Sequence, residues 1–210
     1  MTRSIDDLNT LHLDVLKEVG NIGAGNAATS LAVMIQKKID MKVPTVKIMA
    51  IETVPRLLGG EENVVTGIYF GMTGALSGNI MVLLDINSSK TLTSILMGKP
   101  VERVEADEMP DLTDMDRSAL QEVGNILSGS YISSLAALTG LRINLSPPAL
   151  CVDMAGAILS VPAIQFGEMG DRVLLVENKL FDGTNEVTAN FFLIPDESSF
   201  DLLLDALGVS

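Results

Sequence analysis

Two kinds of hydrophobic spacing alternate along this chain. In "HLDVLKEV", Leu13, Val15, Leu16 and Val19 are apolar with charges between them, a helical spacing and not a strand's alternation. That pattern predicts a long helix over about Leu8 to Lys37 and a second over about Asp114 to Thr139, the latter capped by Thr113 or Asp114. A strand follows each, around Lys38 to Ala50 and Arg142 to Asp153, interrupted by Pro44 and Pro148. Proline removes a ladder donor, so these strands belong at an edge or bend there. Short helices come next, near Thr53 to Leu58 and Ala155 to Gln165. Two hairpins then pair Val64–Phe70 with Gly78–Leu84 and Arg172–Leu180 with Val187–Ile194, with "GMTG" and "DGTN" as turn signals. Closing helices cover Ser88 to Met97 and Ser198 to Leu207. Hairpin-linked strands with long helices predict an α+β fold, an antiparallel sheet packed with helices.

The element order occurs twice because the sequence does. Shifted by 104 residues, Asp14–Pro44 lies over Ser118–Pro148 with twelve of 31 positions identical, where average usage gives about two. "EVGNI" is intact in both copies, and "LLDINSSKTLTSILMG" lies over "LIPDESSFDLLLDALG" once a few residues are inserted. This is an internal duplication with repeats at about 8–98 and 112–208, and it predicts a pseudo-twofold single domain over 1–210. The acidic, proline-bearing "KPVERVEADEMPD" reads as the linker between halves.

Composition narrows the partners. A net charge of −13 argues against nucleic acid and against anionic membrane, both of which need clustered Lys and Arg. One cysteine, Cys151, cannot form an internal disulfide. No signal peptide and no apolar run of spanning length is visible, so the cytoplasm is the expected compartment.

Gly23 to Ala28 fit the G-x-G-x-x-A phosphate-binding fingerprint. That reading needs a strand before the glycines, whereas the spacing there is helical. In the second copy Gly23 becomes Leu127 and Ala28 becomes Ile132, so the fingerprint is lost while the glutamate, Gly20/Gly124, the asparagine and Gly25/Gly129 remain. A helix glycine costs about 1 kcal/mol against alanine; core packing is the expected reason at Gly20 and Gly25, and an open face at Gly23. Asp14, Glu18 and Asn21 fall on one helical stripe, and Ser118, Glu122 and Asn125 repeat it. A carboxylate beside a carboxamide can hold a water and grip a cation. The alternative is a solvated face, but asparagine is a poor mid-helix residue and a plain surface drifts between copies, as position 17/121 did. His12, the only histidine, has no repeat counterpart and reads as solvent-facing or packed; no metal site is expected. An acid–amide pair suits a substrate already activated, such as a phosphoaspartate, for which placing a water suffices.

Here the residues resemble a known family. An acidic or Ser residue, Glu four on, Asn three on and Pro twenty-three on is the signature of CheC-type phosphatases of phosphorylated chemotaxis response regulators. It occurs as Asp14, Glu18, Asn21, Pro44 and as Ser118, Glu122, Asn125, Pro148. The resemblance implies hydrolysis of the aspartyl phosphate of a CheY-type receiver. Asn21 and Asn125 would orient the attacking water, Glu18 and Glu122 would contact the receiver's lysine, and Pro44 and Pro148 would shape the strands beside each helix. It implies no cofactor of the chain's own, the receiver supplying Mg²⁺. It also implies binding to the deamidase CheD, with Asp153 in "DMAGAIL" at that contact; the other reading of Asp153 is a helix cap. Two intact motifs in one chain point to a monomer and away from the dimeric CheX, which has one. FliY adds a C-terminal switch domain, and with its ending at "LLLDALGVS" this chain is expected to be without one unless it is a fragment of a longer flagellar protein; FliM shares the fold without the acid–amide pair. The rival functions are a non-catalytic receiver- or deamidase-binding adaptor and a flagellar switch domain.

Overall fold

The computed structural model of the chain describes residues 10–101, 109–166 and 172–208. The middle of the expected linker lies outside the described residues. Helix α1 (Thr10–Ile35) leads to β1 (Asp40–Met41) and β2 (Thr45–Ala50), then a short 3₁₀ turn and α2 (Val54–Leu57). The hairpin β3 (Val64–Gly74) and β4 (Gly78–Asp85) follows, and α3 (Ile86–Met97) closes the half. The second half repeats the order with α4 (Asp114–Thr139), β5 (Ile143–Leu145), β6 (Ala149–Met154), α5 (Ala155–Phe166), β7 (Arg172–Phe181), β8 (Glu186–Pro195) and α6 (Glu197–Ala206). The α+β class, the antiparallel sheet and the duplicated order are as the sequence predicts.

The strands form one eight-stranded antiparallel sheet. At its centre β4 pairs with β8, Ile80 opposite Leu193. Each half then lends its edge strands to the other half's hairpin. β2 lies on β7 with Val46 opposite Val176, and β6 lies on β3 with Leu150 opposite Ile68. A half by itself would leave a hairpin edge unpaired. Pro44 and Pro148 sit where β1 breaks from β2 and β5 from β6, so the interrupted strands do fall at the edges.

Alternation along the central strands buries both sheet faces. Ile80, Val82 and Leu84 of β4 join one core with Leu16, Val19, Leu120 and Val123 of the long helices. Met81 and Leu83 join a second core on the opposite face, with Val54 of α2 and Ile158 and Leu159 of α5. The long helices α1 and α4, with α3 and α6 beside them, therefore form one outer layer, and α2 and α5 the other.

Local chemistry sets the helix ends. Thr113 and Asp116 form a reciprocal capping box at the start of α4, and Gly140 ends it in the left-handed conformation at φ 71°. Burial would raise the Asp116 carboxyl, but its hydrogen bonds from Thr113, with Lys99 and Lys90 nearby, hold it below the usual carboxylate range. One turn differs from expectation. "GMTG" is not the first hairpin's turn, because Met72, Thr73 and Gly74 continue β3 by pairing with β5 of the other half. The chain reverses instead over residues 75–77, between Gly74 and Gly78, which both have positive φ. "DGTN" does turn: the Asp182 carboxylate accepts from the backbone N–H of Thr184 and Asn185, at 3.0 and 2.7 Å.

Candidate functional site

α1 is continuous through Gly23–Ala28, so no strand precedes the glycines and the dinucleotide reading falls. Its inner face carries Leu16, Val19, Gly20 and Gly23, all buried; its outer face carries Asp14, Glu18 and Asn21, all exposed. α4 repeats this, with Leu120, Val123, Gly124 and Leu127 inside and Ser118, Glu122 and Asn125 outside. Both acid–amide stripes are thus accessible. Among the described residues, none of the side chains of Glu18, Asn21, Glu122 and Asn125 has a hydrogen-bond or ion-pair partner. Their acceptor and donor groups are left for solvent or for a docking molecule.

The glycines explain how the stripes are held outward. A Cβ on Gly20 would meet Pro44 Cγ and Val46 Cγ2 at 3.4 Å, and one on Gly124 would meet Ile68 Cδ1 at 2.8 Å. Val46 and Ile68 belong to the pairs related by the duplication, so the glycine of each "EVGNI" lets its helix lie close on the equivalent part of the sheet. Gly23 was expected on an open face, but it is buried: a Cβ there would come within 2.6 Å of the Tyr131 ring. Under the duplication Gly23 corresponds to Leu127 and Tyr131 to Ala27. A glycine facing a tyrosine in one half thus corresponds to a leucine and an alanine in the other, both buried in the same core, so packing accounts for the loss of the fingerprint's first glycine. Gly25 was expected in the core, and it is exposed with nothing within 4 Å of a Cβ position.

The prolines play unequal parts. Pro44 is buried and lines an open depression with Asn21, Gly25, Asp40, Lys42 and Val43. Pro148 is half-buried, and its carbonyl accepts a hydrogen bond from Gln121 Nε2 at 3.3 Å. Asn125 borders a shallow groove between α1 and α4 with Asn26, Thr29, Gly129 and Ser133. Asp14 pairs with Lys17 at 3.2 Å, both exposed, while Ser118 is simply exposed. Sequence reasoning missed Gln121. Its change from Lys17 looked like drift, yet it replaces a solvated cation by an amide that ties the helix to the strand bend.

Asp153 lies near the end of β6, away from the two stripes, and its carboxylate accepts from the Met154 N–H at 2.8 Å. The first amides of α5 are taken by others: Ala155 N–H by the Asn63 carbonyl and Gly156 N–H by that of Glu61. His12 is buried, which settles the packed reading over the solvent-facing one. Partial burial pushes the Cys151 thiol up, and the nearby Asp153 carboxylate adds to the rise, so it stays protonated near neutrality. Tyr131 donates to the buried Asn178 carboxamide and stacks on Phe191 with ring centroids 4.7 Å apart.

Comparison with known proteins agrees with this geometry. The model of the CheC-like family matches residues 11–48 and 115–152, which contain all eight motif residues. The CheY-P phosphatase CheC of Bacillus subtilis is 36% identical over 202 residues, covering 94% of both chains. The flagellar motor switch phosphatase FliY of the same organism is 25% identical over 69% of this chain but only 36% of its own length. The crystal structure of Thermotoga maritima FliY superimposes with a TM-score of 0.74 at 25% identity, covering 96% of this chain and 98% of that one. With the duplicated motif, the exposed acid–amide stripes and a relative this similar from end to end, the chain belongs to the CheC-like family.

Proposed function

We propose that this protein hydrolyses the aspartyl phosphate of a CheY-type receiver by placing the attacking water, once in each half. The observation that carries the reading is the pair of accessible, unpartnered stripes, Glu18/Asn21 and Glu122/Asn125, at equivalent places in the duplication. The similarity to a CheY-P phosphatase supplies the substrate class.

In this reading the receiver brings its phosphorylated carboxylate, its Mg²⁺ and its lysine, and this chain contributes no metal. Glu18 or Glu122 pairs with that lysine and fixes the docking. Asn21 or Asn125 enters the receiver's site, and its carboxamide orients a water in line with the acyl phosphate. The water oxygen bonds to phosphorus, the bond from phosphorus to the carboxylate oxygen breaks, and the products are inorganic phosphate and a free aspartate. Charge neutralisation stays with the receiver, so positioning is this chain's share. Asp14, Ser118, Pro44 and Pro148 support the stripes and the segments beside them. The chain acts as a cytoplasmic monomer, one CheC-like domain of two repeats at about 8–98 and 112–208. CheD binds at the end of β6, where Asp153 and the exposed Met154 stand together. The rival is an adaptor that docks a receiver or deamidase without hydrolysis.

The test charges a receiver with a small phosphodonor, removes the donor, adds this protein and follows aspartyl phosphate. The double variant Asn21→Ala/Asn125→Ala should lose about 10²-fold of the accelerated rate. Parent-like hydrolysis by that variant would remove these residues from the mechanism. EDTA should stop turnover by stripping the receiver, while the isolated chain carries no metal by elemental analysis; stoichiometric metal there would contradict the assignment.

A further inference from the structure

Every described glycine but two either has positive φ or has a neighbour within 4 Å of the place a Cβ would occupy. Gly59, Gly60, Gly74, Gly78, Gly98, Gly140, Gly183 and Gly208 have positive φ. Gly20, Gly23, Gly67, Gly71, Gly124 and Gly156 have other atoms within 4 Å of the place a Cβ would occupy. Gly25 and Gly129 have neither: their backbone is ordinary and a Cβ would stand in open space. Both lie inside long helices, where glycine is the costliest ordinary residue, and they occupy the same position of the two repeats. Nothing among the described residues requires either.

Their place suggests what does. Each lies four residues beyond the stripe asparagine, one turn along the same face. Gly25 lines the depression with Asn21 and Pro44, and Gly129 the groove with Asn125. Asparagine is short, its carboxamide only one methylene from the backbone. For it to enter a cleft in another protein, the helix itself must come against the rim of that cleft. We propose that Gly25 and Gly129 are clearance residues, bare backbone on which the receiver's surface around the phosphorylated site rests when the asparagine is inserted. This rests on the receiver-phosphatase reading above and adds a positioning residue to each half. Side chains there would hold the asparagine out of reach and so weaken docking.

The experiment isolates each half by silencing the other, with Asn125→Ala as background for Gly25 variants and Asn21→Ala for Gly129 variants. Because the site is open within the chain, Gly25→Ala and Gly25→Gln should raise the melting temperature by about 2–4 °C. Gly25→Gln should raise KM for the phosphorylated receiver about tenfold while kcat changes less than about twofold. Gly25→Ala should show the same split at smaller size, and the Gly129 series should repeat both. Ala137→Gln, an exposed change about three turns past Asn125 on α4, should leave both constants unaltered. A more stable Gly25→Gln with parental KM would overturn the clearance role, provided Asn21→Ala in the same background still loses activity. If that asparagine variant retains activity, the asparagine assignment on which the proposal rests fails instead. A lowered melting temperature for Gly25→Ala would also sink the proposal, because it would put an internal neighbour where open space is claimed.

Discussion

The two halves present the same carboxylate and amide in different surroundings. Beside Asn21 the setting is ionic. Lys17 pairs with Asp14 at 3.2 Å, Lys38 with Asp40 at 2.9 Å, and Lys42 stands over the Phe181 ring at 4.4 Å. Positions 14, 17, 40 and 42 become Ser118, Gln121, Asn144 and Ser146 in the second half. There the fastening is by hydrogen bonds to backbone: Gln121 donates to the Pro148 carbonyl, and Ser146 accepts from Gly71 N–H at 2.9 Å while donating to the Pro147 carbonyl at 3.0 Å. Exposed ion pairs contribute little and are screened by salt; a hydrogen bond to a fixed carbonyl also sets direction. Duplication kept the reacting pair and let the two halves hold it differently.

The largest effect that tests this comparison is the division of activity. Asn21→Ala should reduce the first site about 10²-fold and leave the second working, and Asn125→Ala the reverse. If the halves act independently, the two single-variant rates sum to the parent's. A single variant that silences both would show that one half serves the other, and the contrast of surroundings would then concern one site only.

Packing between α1 and α4 gives the next test. Gly23 and Leu127 hold equivalent positions; Gly23 faces Tyr131, and Ala27, the equivalent of Tyr131, is buried in the same core as Leu127. Gly23→Ala drives a methyl into the Tyr131 ring and backbone and should cost about 1–3 kcal/mol. Leu127→Ala empties a fully buried site and should cost about 2–5 kcal/mol. Chemical denaturation measures both. Equal and negligible losses would mean the interface repacks freely and the difference in side-chain size between the halves has no structural weight.

That difference marks the limit of what the sequence disclosed. Periodicity placed α4 at Asp114–Thr139 as observed, and the proline interruptions put β1, β2, β5 and β6 at the edges. The stripes of α1 and α4 were legible because their spacing recurs 104 residues on against drifting neighbours. Four things depended on where distant residues come to lie. Gly23 was misread because its neighbour is Tyr131, and Gly25 because emptiness around a residue leaves no mark in the chain. "GMTG" was misread because β5, from the other half, extends β3 past its hairpin partner. The crossing of edge strands between halves lies in the pairing register, of which a duplicated sequence gives no sign.

The smallest effect is the sharpest test of the different fastenings. Gln121→Ala removes the tether between α4 and the Pro148 bend. A hydrogen bond of this kind is worth about 0.5–1.5 kcal/mol, and at 3.3 Å this one belongs at the weak end, so the second site should slow about threefold. Lys17→Ala at the equivalent position removes only a solvent-exposed pair with Asp14, and the first site should change less than about 1.5-fold. Both are measured with the opposite half silenced by its asparagine variant. High salt should erase even the small Lys17 effect, by screening the pair in the parent, and leave the Gln121 effect standing. Equal losses at positions 17 and 121, or a Gln121 loss that salt abolishes, would show that the two halves are fastened alike despite their different residues.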